Sequence, residues 1–238
     1  MARRTKCKEG NLAYFYDHVG YRNYDVVAQL DSDHVPGPTY LAEMVRPFAD
    51  PAVGYVAAPS MCDTNAKQSW SARGRLNWEA LFHGLVQLGY NRGLAPVAIG
   101  SHYAVRTEAL RDIGGLGPEL AEDFSTSFLF NSAGWPGVFA IAAEAHGDGP
   151  LSFPDMVVQE FQWSRSLCVL GLEMVPRHLG RLDRWVRVRF IYCLLHYPSL
   201  SLITISGLLL PPIAAVADSA WMSVNYLEFL LRWWFVSS

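Results

Sequence analysis

Charge is scarce in this chain. Only 17% of its 238 residues are Asp, Glu, Lys or Arg, against about 25% in an average soluble domain. Hydrophobic residues make up 51%, so disorder, collagen-like repeats and coiled coil are all disfavoured. A net charge of −3 argues against a polycation built for phosphates, and no nucleic-acid partner is expected. The four cysteines, at 7, 62, 168 and 193, have no C-x-x-C spacing. Neither a zinc knuckle nor a disulfide framework is signalled, and reduced thiols are expected. Met1–Gly10 is polar and basic, so no secretory leader is expected there.

The charge that is missing is missing unevenly. From Phe190 to Ala217 there are 28 residues without Asp, Glu, Lys or Arg, and a membrane-crossing helix needs about 20. Pro198, Gly207, Pro211 and Pro212 interrupt the run, as membrane helices tolerate. A span is expected at about 194–217. A second apolar stretch starts near Trp221 and carries Tyr226, Trp233 and Trp234, with Glu228 and Arg232 breaking it. Such aromatics favour a membrane interface, and a second span begun there is expected. Before the first span crowd Arg177, Arg181, Arg184, Arg187 and Arg189. The first three follow i, i+4, i+7 spacing and predict one basic helix face. With Leu179, Leu182, Trp185 and Val186 they predict an amphipathic segment over 169–189, lying on a lipid bilayer. The positive-inside rule then places everything N-terminal to it in the cytoplasm, at the cell membrane.

Residues 1–168 alternate strand-like and helix-like stretches, which predicts an α/β sheet with its ligand at the strand C-terminal ends. Strands are expected at Asp25–Leu30, Val53–Ala58, Val97–Ile99 and Val138–Ala142, and helices at Pro38–Phe48 and Ser69–Tyr90. In the longer helix Trp78, Leu81, Phe82 and Leu85 follow i, i+3, i+4, i+7 and predict its buried face. Trp70, Trp78 and Trp135 are assigned to the core, and His146 with Asp148 to a glycine-rich turn.

Three constellations could carry chemistry. Asp31-Ser32-Asp33-His34 ends the first strand. In extended backbone the two carboxylates would share one side, an oxygen site for Mg²⁺ or Mn²⁺. An acidic turn is the structural alternative. Glu122-Asp123 stands where a helix would start; Asp123 is an N-cap or a general base. Gln159-Glu160-Phe161-Gln162-Trp163-Ser164-Arg165 is an amphipathic helix with a core tryptophan, or an aromatic platform ringed by donors for sugar hydroxyls and diphosphate.

Their order resembles that of the membrane-bound processive family 2 glycosyltransferases, the cellulose, chitin and hyaluronan synthases. That pattern runs D-x-D, T-E-D, Q-x-x-R-W, interfacial helix, membrane helices. Lys8–Leu12 is similar to the family's K-A-G-N-L-N stretch, and Asp31–Pro36 to D-A-D-H-V-P. Gly100–Arg106 is similar to G-S-N-A-V-x-R, Ile113–Gly115 to I-G-G-F, and Phe124–Trp135 to its T-S-x-x-L…G-W run. The resemblance covers roughly residues 6–217. It implies a GT-A-like α/β fold, a mixed sheet with flanking helices, followed by transmembrane helices over 190–238. It implies inverting transfer from a nucleotide sugar, in all expectation a UDP-sugar, to a growing polysaccharide. Asp31 and Asp33 would hold a divalent ion and the donor diphosphate, with Lys8 near the nucleotide. Asp123 would be the base. Gln159, Gln162, Trp163 and Glu122 would bind the acceptor glycan.

Three departures stand out. Gln162 replaces the arginine of Q-x-x-R-W, and a neutral amide cannot supply that charge; Arg165, nearby, is the candidate for donor binding in its place. Ala121 replaces the threonine of T-E-D. Only seven residues precede Lys8, where the family carries a further aspartate with a strand and helix that bind the base and ribose. The chain is therefore expected to be an N-terminally incomplete piece that alone binds donor poorly and turns over little or nothing. Two other functions fit the same residues: single-sugar transfer to a lipid carrier, and a catalytically inactive synthase-like subunit.

Overall fold

The computed structural model describes residues 7–91, 93–217 and 225–237. Helix α1 (Cys7–Phe15) runs through a π turn (Tyr16–Gly20) and a last short turn, α2 (Tyr21–Asn23), to strand β1 (Val26–Leu30). β2 (Val35–Pro36), α3 (Tyr40–Val45) and a 3-10 turn (Arg46–Ala49) lead to β3 (Tyr55–Ala57) and β4 (Ser60–Met61). α4 (Trp70–Glu79), a π segment (Ala80–Val86) and α5 (Gln87–Tyr90) follow one another without a break. Then come β5 (His102–Arg106), α6 (Thr107–Asp112), α7 (Glu122–Ser132), β6 (Gly137–Phe139) and β7 (Ala145–His146). α8 (Phe153–Glu173), α9 (Val175–His178), a 3-10 turn (Leu179–Arg181), α10 (Arg184–Val216) and α11 (Tyr226–Ser237) complete the order. The chain divides into two compact units, Met1–Leu194 and Leu195–Ser238. Residue 168, where a boundary was expected, falls inside α8.

The main sheet has the order β1-β5-β3-β6 and the second β2-β7-β4. β3 and β6 are parallel, while β5 is antiparallel to both β1 and β3. The C-terminal ends of β1 and β3 thus meet the N-terminal end of β5 at one edge, where Asp31 and His102 sit. Alternation decides the packing, since successive strand residues face opposite ways. Tyr55, Tyr103 and Val105 join Tyr16, Leu110 and Phe130 on one face. Val56 and Ala104 join Tyr40, Met44 and Ala145 on the other. A third apolar cluster ties α7, α8 and the start of α10 together through Phe124, Phe128, Leu170, Met174, Val186 and Phe190.

Several expectations change. Residues 97–99 are not a strand; Ile99 makes one isolated bridge, to His102. The backbone there is satisfied by side chains instead. Gln87 bonds both Val97 N–H and its carbonyl, and Ala98 N–H donates to Ser127 Oγ. The helix over 70–90 exists, but its faces are reversed. Trp70, Trp78, Leu81 and Leu85 are exposed, while Ser71, Arg75, Glu79, His83 and Gln87 are buried. The polar side chains face inward because backbone of the edge strand β4 and of the loops beside it lies there: Cys62 N–H donates to Glu79, His83 Nδ1–H donates to Ser60 O, and Gln87 holds Val97. Burial dominates their ionisation, pushing Glu79 up and His83 down to about 4. Trp70 leaves the core to stack on exposed Phe153, ring centroids 5.9 Å apart; Trp135 does pack against the core. His146 lies in β7 and pairs with Asp63 at 3.0 Å.

The basic segment is not one helix face. Pro176 cannot continue α8, because it lacks an N–H and its ring crowds the preceding turn, and beyond it the extended backbone of Leu182 separates the 3-10 turn from α10. Arg177 falls in α9, Arg181 in the 3-10 turn and Arg184 at the start of α10. Leu182 and Val186 are buried in the α7–α8–α10 cluster. Arg187 bonds the carbonyls of Gly180 and Leu182, and Arg189 those of Leu94 and Ala95. These two arginines satisfy backbone, so residues 169–189 form a packed helical corner and not one continuous helix.

α10 is long and apolar enough to cross a membrane, and none of its apolar window is buried. Trp221 lies outside the described residues, as do the side chains of Tyr226 and Trp233. α11 has 12 residues, short of the roughly 20 a crossing needs. Its two charges, Glu228 and Arg232, pair with each other four residues apart.

Candidate active site

The site forms where β1 ends. Asp31 N–H donates to Ser101 O at 2.7 Å, and His34 N–H donates back to Asp31 O. Asp31–His34 is therefore a turn and not a continued strand, so pleat geometry does not set the directions of its carboxylates. Asp31 points at Lys8 of α1, whose ammonium contacts both its Oδ1 and the Gly100 carbonyl. Glu122 Oε1 lies 4.0 Å from the same ammonium. Asp33 turns elsewhere: its Oδ1 is 2.9 Å from His34 Nδ1, and His34 Nε2 is 3.0 Å from Ser60 Oγ. His34 is itself packed on Gly147, where an added Cβ would lie 2.6 Å from its ring. His102 is fully buried nearby, and desolvation, helped by His34, pushes its imidazole down to about 3. It is neutral at pH 7.

Asp123 is held from three sides. It sits in the first turn of α7, where its Oδ1 accepts the Phe124 N–H at 2.7 Å. Its carboxylate lies over Gly100, so close that a Cβ there would meet Oδ2 at 3.1 Å. It keeps a strip of exposed surface but is largely enclosed by protein. Desolvation therefore raises its pKa from the ordinary 3.8, opposed by the backbone donors Phe124 and Gly100 and by Lys8.

The Ser125-Thr126-Ser127 run explains how α7 reaches this place. Ser125 Oγ donates to Pro118 O, Thr126 Oγ1 accepts Gly117 N–H, and Ser127 Oγ accepts Ala98 N–H, at 2.8, 2.8 and 2.7 Å. Serine and threonine are poor helix-interior residues because they bond backbone. Here that habit fastens α7 to the loops on both sides of it. Residue 121 offers no cap; instead Ala121 N–H donates to buried Ser166 Oγ of α8 at 2.9 Å. Ser166 thus ties the start of the Asp123 helix to the helix that carries Gln159 and Trp163. We expect Ser166→Ala to cost about 1–3 kcal/mol, since it strands a buried N–H, and to be read as a lowered melting temperature in detergent.

The remaining candidates divide. Gln159, Glu160 and Trp163 gather on Arg75 of α4. Its Nη1 is 2.9 Å from Glu160 Oε1, Nη2 3.4 Å from Gln159 Oε1, and Cζ 4.6 Å from the Trp163 ring centroid. Gln162 is partly exposed, and Arg165 is exposed. Among the described residues Arg165 makes no ion pair. The structure thus joins Lys8, Asp31, Glu122 and Asp123, and leaves Asp33, Gln162 and Arg165 out of that contact. Gly100 and Ser127 were read only as members of motifs, and Ser166 and Arg75 were not singled out by sequence reasoning. The signal of the last two was weak: each is a polar residue inside a helix.

Comparison with known proteins sets this geometry in context. A solved mannosyltransferase from Pyrobaculum calidifontis, in complex with GDP-mannose and Mn²⁺, superposes with a TM-score of 0.63 at 17% identity. It covers 98% of this chain and 60% of that one. The likeness shows a GT-A-like mixed α/β fold. Among curated relatives, the UDP-forming cellulose synthase catalytic subunits of Pseudomonas fluorescens (strain SBW25) and Xanthomonas axonopodis pv. citri (strain 306) are 28% and 26% identical over 179 residues. Those matches cover 73% of this chain and 24% of each relative, so the chain spans about a quarter of their length. The description of glycosyl transferase family group 2 matches residues 26–236, from β1 through Asp31, Asp123 and Trp163 into α11. The chain belongs to glycosyl transferase family group 2.

Proposed function

We propose that this chain carries the acceptor-activating part of an inverting, nucleotide-sugar-dependent glycosyltransferase that extends a polysaccharide at a membrane. One observation carries the reading: Asp31, Glu122 and Asp123 converge on Lys8 at the C-terminal edge of the sheet, with Asp123 raised above the ordinary carboxylate range. A base in that position takes the proton of an acceptor hydroxyl while its oxygen attacks the anomeric carbon. The new C–O bond forms as the bond to the diphosphate breaks, and the nucleoside diphosphate leaves. A carboxylate with a raised pKa is a stronger base than a free one.

Lys8 and Asp31 would face the diphosphate, and Gln159, Gln162, Trp163 and Glu122 the acceptor. Arg165 is assigned to the donor because Gln162 brings no charge. The donor set suits Mg²⁺ or Mn²⁺. Asp31 is already presented to a positive charge, that of Lys8, and Asp33 is more than half exposed. No cluster of three or more metal-ligating side chains occurs among the described residues. That matches an ion that arrives with phosphates and uses one or two carboxylates. Such an ion, when bound, neutralises charge on the leaving diphosphate. The apolar α10 supports membrane attachment, with the first unit on the cytoplasmic side.

The test is transfer from radiolabelled UDP-glucose and GDP-mannose, each with Mn²⁺, Mg²⁺ or EDTA, by detergent-solubilised protein. We expect metal-dependent incorporation that falls at least about a hundredfold when Asp31 and Asp33 are both changed to Asn. Equal activity in EDTA, or in that variant, would overturn the donor assignment. A long polymer supports processive synthesis, and a single sugar on lipid supports the carrier reading. Gln162 favours the inactive-subunit reading, and incorporation of any label excludes it.

A further inference from the structure

Arg75 is about 95% buried, and a buried guanidinium is stable only when paired and hydrogen-bonded. Its partners lie within one turn of α8: Glu160 by ion pair, Gln159 by hydrogen bond and Trp163 by ring contact. Its Nε has no hydrogen-bond partner among the described residues. Two consequences follow from the chemistry of these contacts. The guanidinium covers one face of the indole, and Trp163 is 39% exposed, so a ligand can stack on the other face alone. Gln159 Oε1 accepts from Arg75, so its amide NH₂ is the end left to donate to a ligand hydroxyl.

We propose that Arg75 is a positioning residue for the acceptor sugar: from α4 it fixes the open face of Trp163 and the donor end of Gln159. This rests on the glycosyl-transfer reading above. It also assigns a purpose to the reversed helix, whose buried polar side presents Arg75 to α8. Loss of the cation from one face of the indole should weaken acceptor engagement by about tenfold. Lysine cannot substitute fully, because an ammonium lacks the planar fork that meets Glu160, Gln159 and the ring together.

The experiment uses the full protein bearing Arg75→Met or Arg75→Lys, with whichever labelled donor supports turnover. Two products are counted: sugar transferred to the glycan and sugar released to water. We expect Arg75→Met to lower the transfer-to-hydrolysis ratio about tenfold while hydrolysis stays within twofold, with Arg75→Lys in between. A general loss of fold lowers both products together. In parallel, the protein is labelled with 5-fluorotryptophan, and the Trp163 fluorine resonance is assigned by its disappearance in Trp163→Phe. That resonance should move in both Arg75 variants. An unchanged ratio and an unmoved resonance in Arg75→Lys, with the unaltered protein active, overturn this inference alone. No transfer by the unaltered protein overturns the glycosyl-transfer reading and this role with it.

Discussion

Asp123→Asn should abolish sugar transfer while leaving the protein at least as stable at neutral pH. General-base catalysis contributes about 10²–10⁴-fold, and asparagine has no basic lone pair to take the acceptor proton. We expect a loss of about a thousandfold in kcat. The fold should not suffer. Asparagine can still accept the Phe124 N–H through its carbonyl oxygen, and the position is nearly isosteric. The stability sign follows from the direction of the shift. Burial raises the folded-state pKa of Asp123 above the ordinary 3.8, so the unfolded chain gives up this proton more readily. Below that value the group costs nothing. As pH rises from it to the raised folded value, stability is lost, and it stays lost above. Removing the ionisable group removes that penalty, so the variant should melt at or above the temperature of the unaltered protein at pH 7. The pH profile of the unaltered enzyme gives the complementary reading: kcat should rise with pH through an apparent pKa above the ordinary carboxylate range. A variant that keeps more than a tenth of the activity would show that another group takes the proton.

Much of this site was legible because its charged members stand at element ends. Asp31 ends a strand and Asp123 starts a helix, and each is flanked by turn residues that mark those ends in the sequence. What was not legible depends on which way a helix faces. Ser71, Arg75, Glu79, His83 and Gln87 recur every four residues, but the apolar residues between them suggested the opposite burial. Four residues advance an ideal α-helix by about 40° beyond a full turn, so five such positions would spiral by about 160°. The wider π segment over Ala80–Val86 takes up that drift and keeps the polar row on one side. Hydrophobic periodicity also cannot reveal that backbone groups of the edge strand β4 and of Cys62 beside it, and of loop 95–98, need side-chain partners, which is why buried polar residues stand opposite them. The row of arginines misled for a similar reason: spacing was counted through Leu182, whose extended backbone separates the 3-10 turn that ends at Arg181 from α10. Two strands of the main sheet were easier, although β5 between them was not expected as a strand. Asp25–Leu30 and Val53–Ala58 shortened only at their ends, to β1 and β3, because their alternating side chains fill two apolar layers.

Gly117→Ala should be the most destabilising single methyl in the first unit's active-site loop. A Cβ there would stand 2.1 Å from Ser125 Oγ and 2.5 Å from Thr126 N. The hydroxyl could rotate away only by leaving Pro118 O, and the helix backbone cannot move without dragging α7. The loop would have to lift, breaking the 2.8 Å bond from Gly117 N–H to Thr126 Oγ1. Overpacking costs about 1–3 kcal/mol and the lost bond about 1 kcal/mol more. At a total of about 3 kcal/mol the melting temperature should fall by about 6–12 °C. Gly74→Ala is the matching control. It lies inside α4, and its added Cβ would meet nothing within 4 Å; it should gain up to about 1 kcal/mol from helix propensity. Opposite signs for the two would show that contact with α7, and not loss of glycine as such, sets the effect. The loop also fixes the first turn of that helix, so any Gly117→Ala protein that folds should transfer sugar more slowly without a matching rise in donor KM. If instead it melts like the unaltered protein, the loop is not seated on α7 in solution. The placement of Asp123 would then depend on Gly100, Ser127 and Ser166 alone.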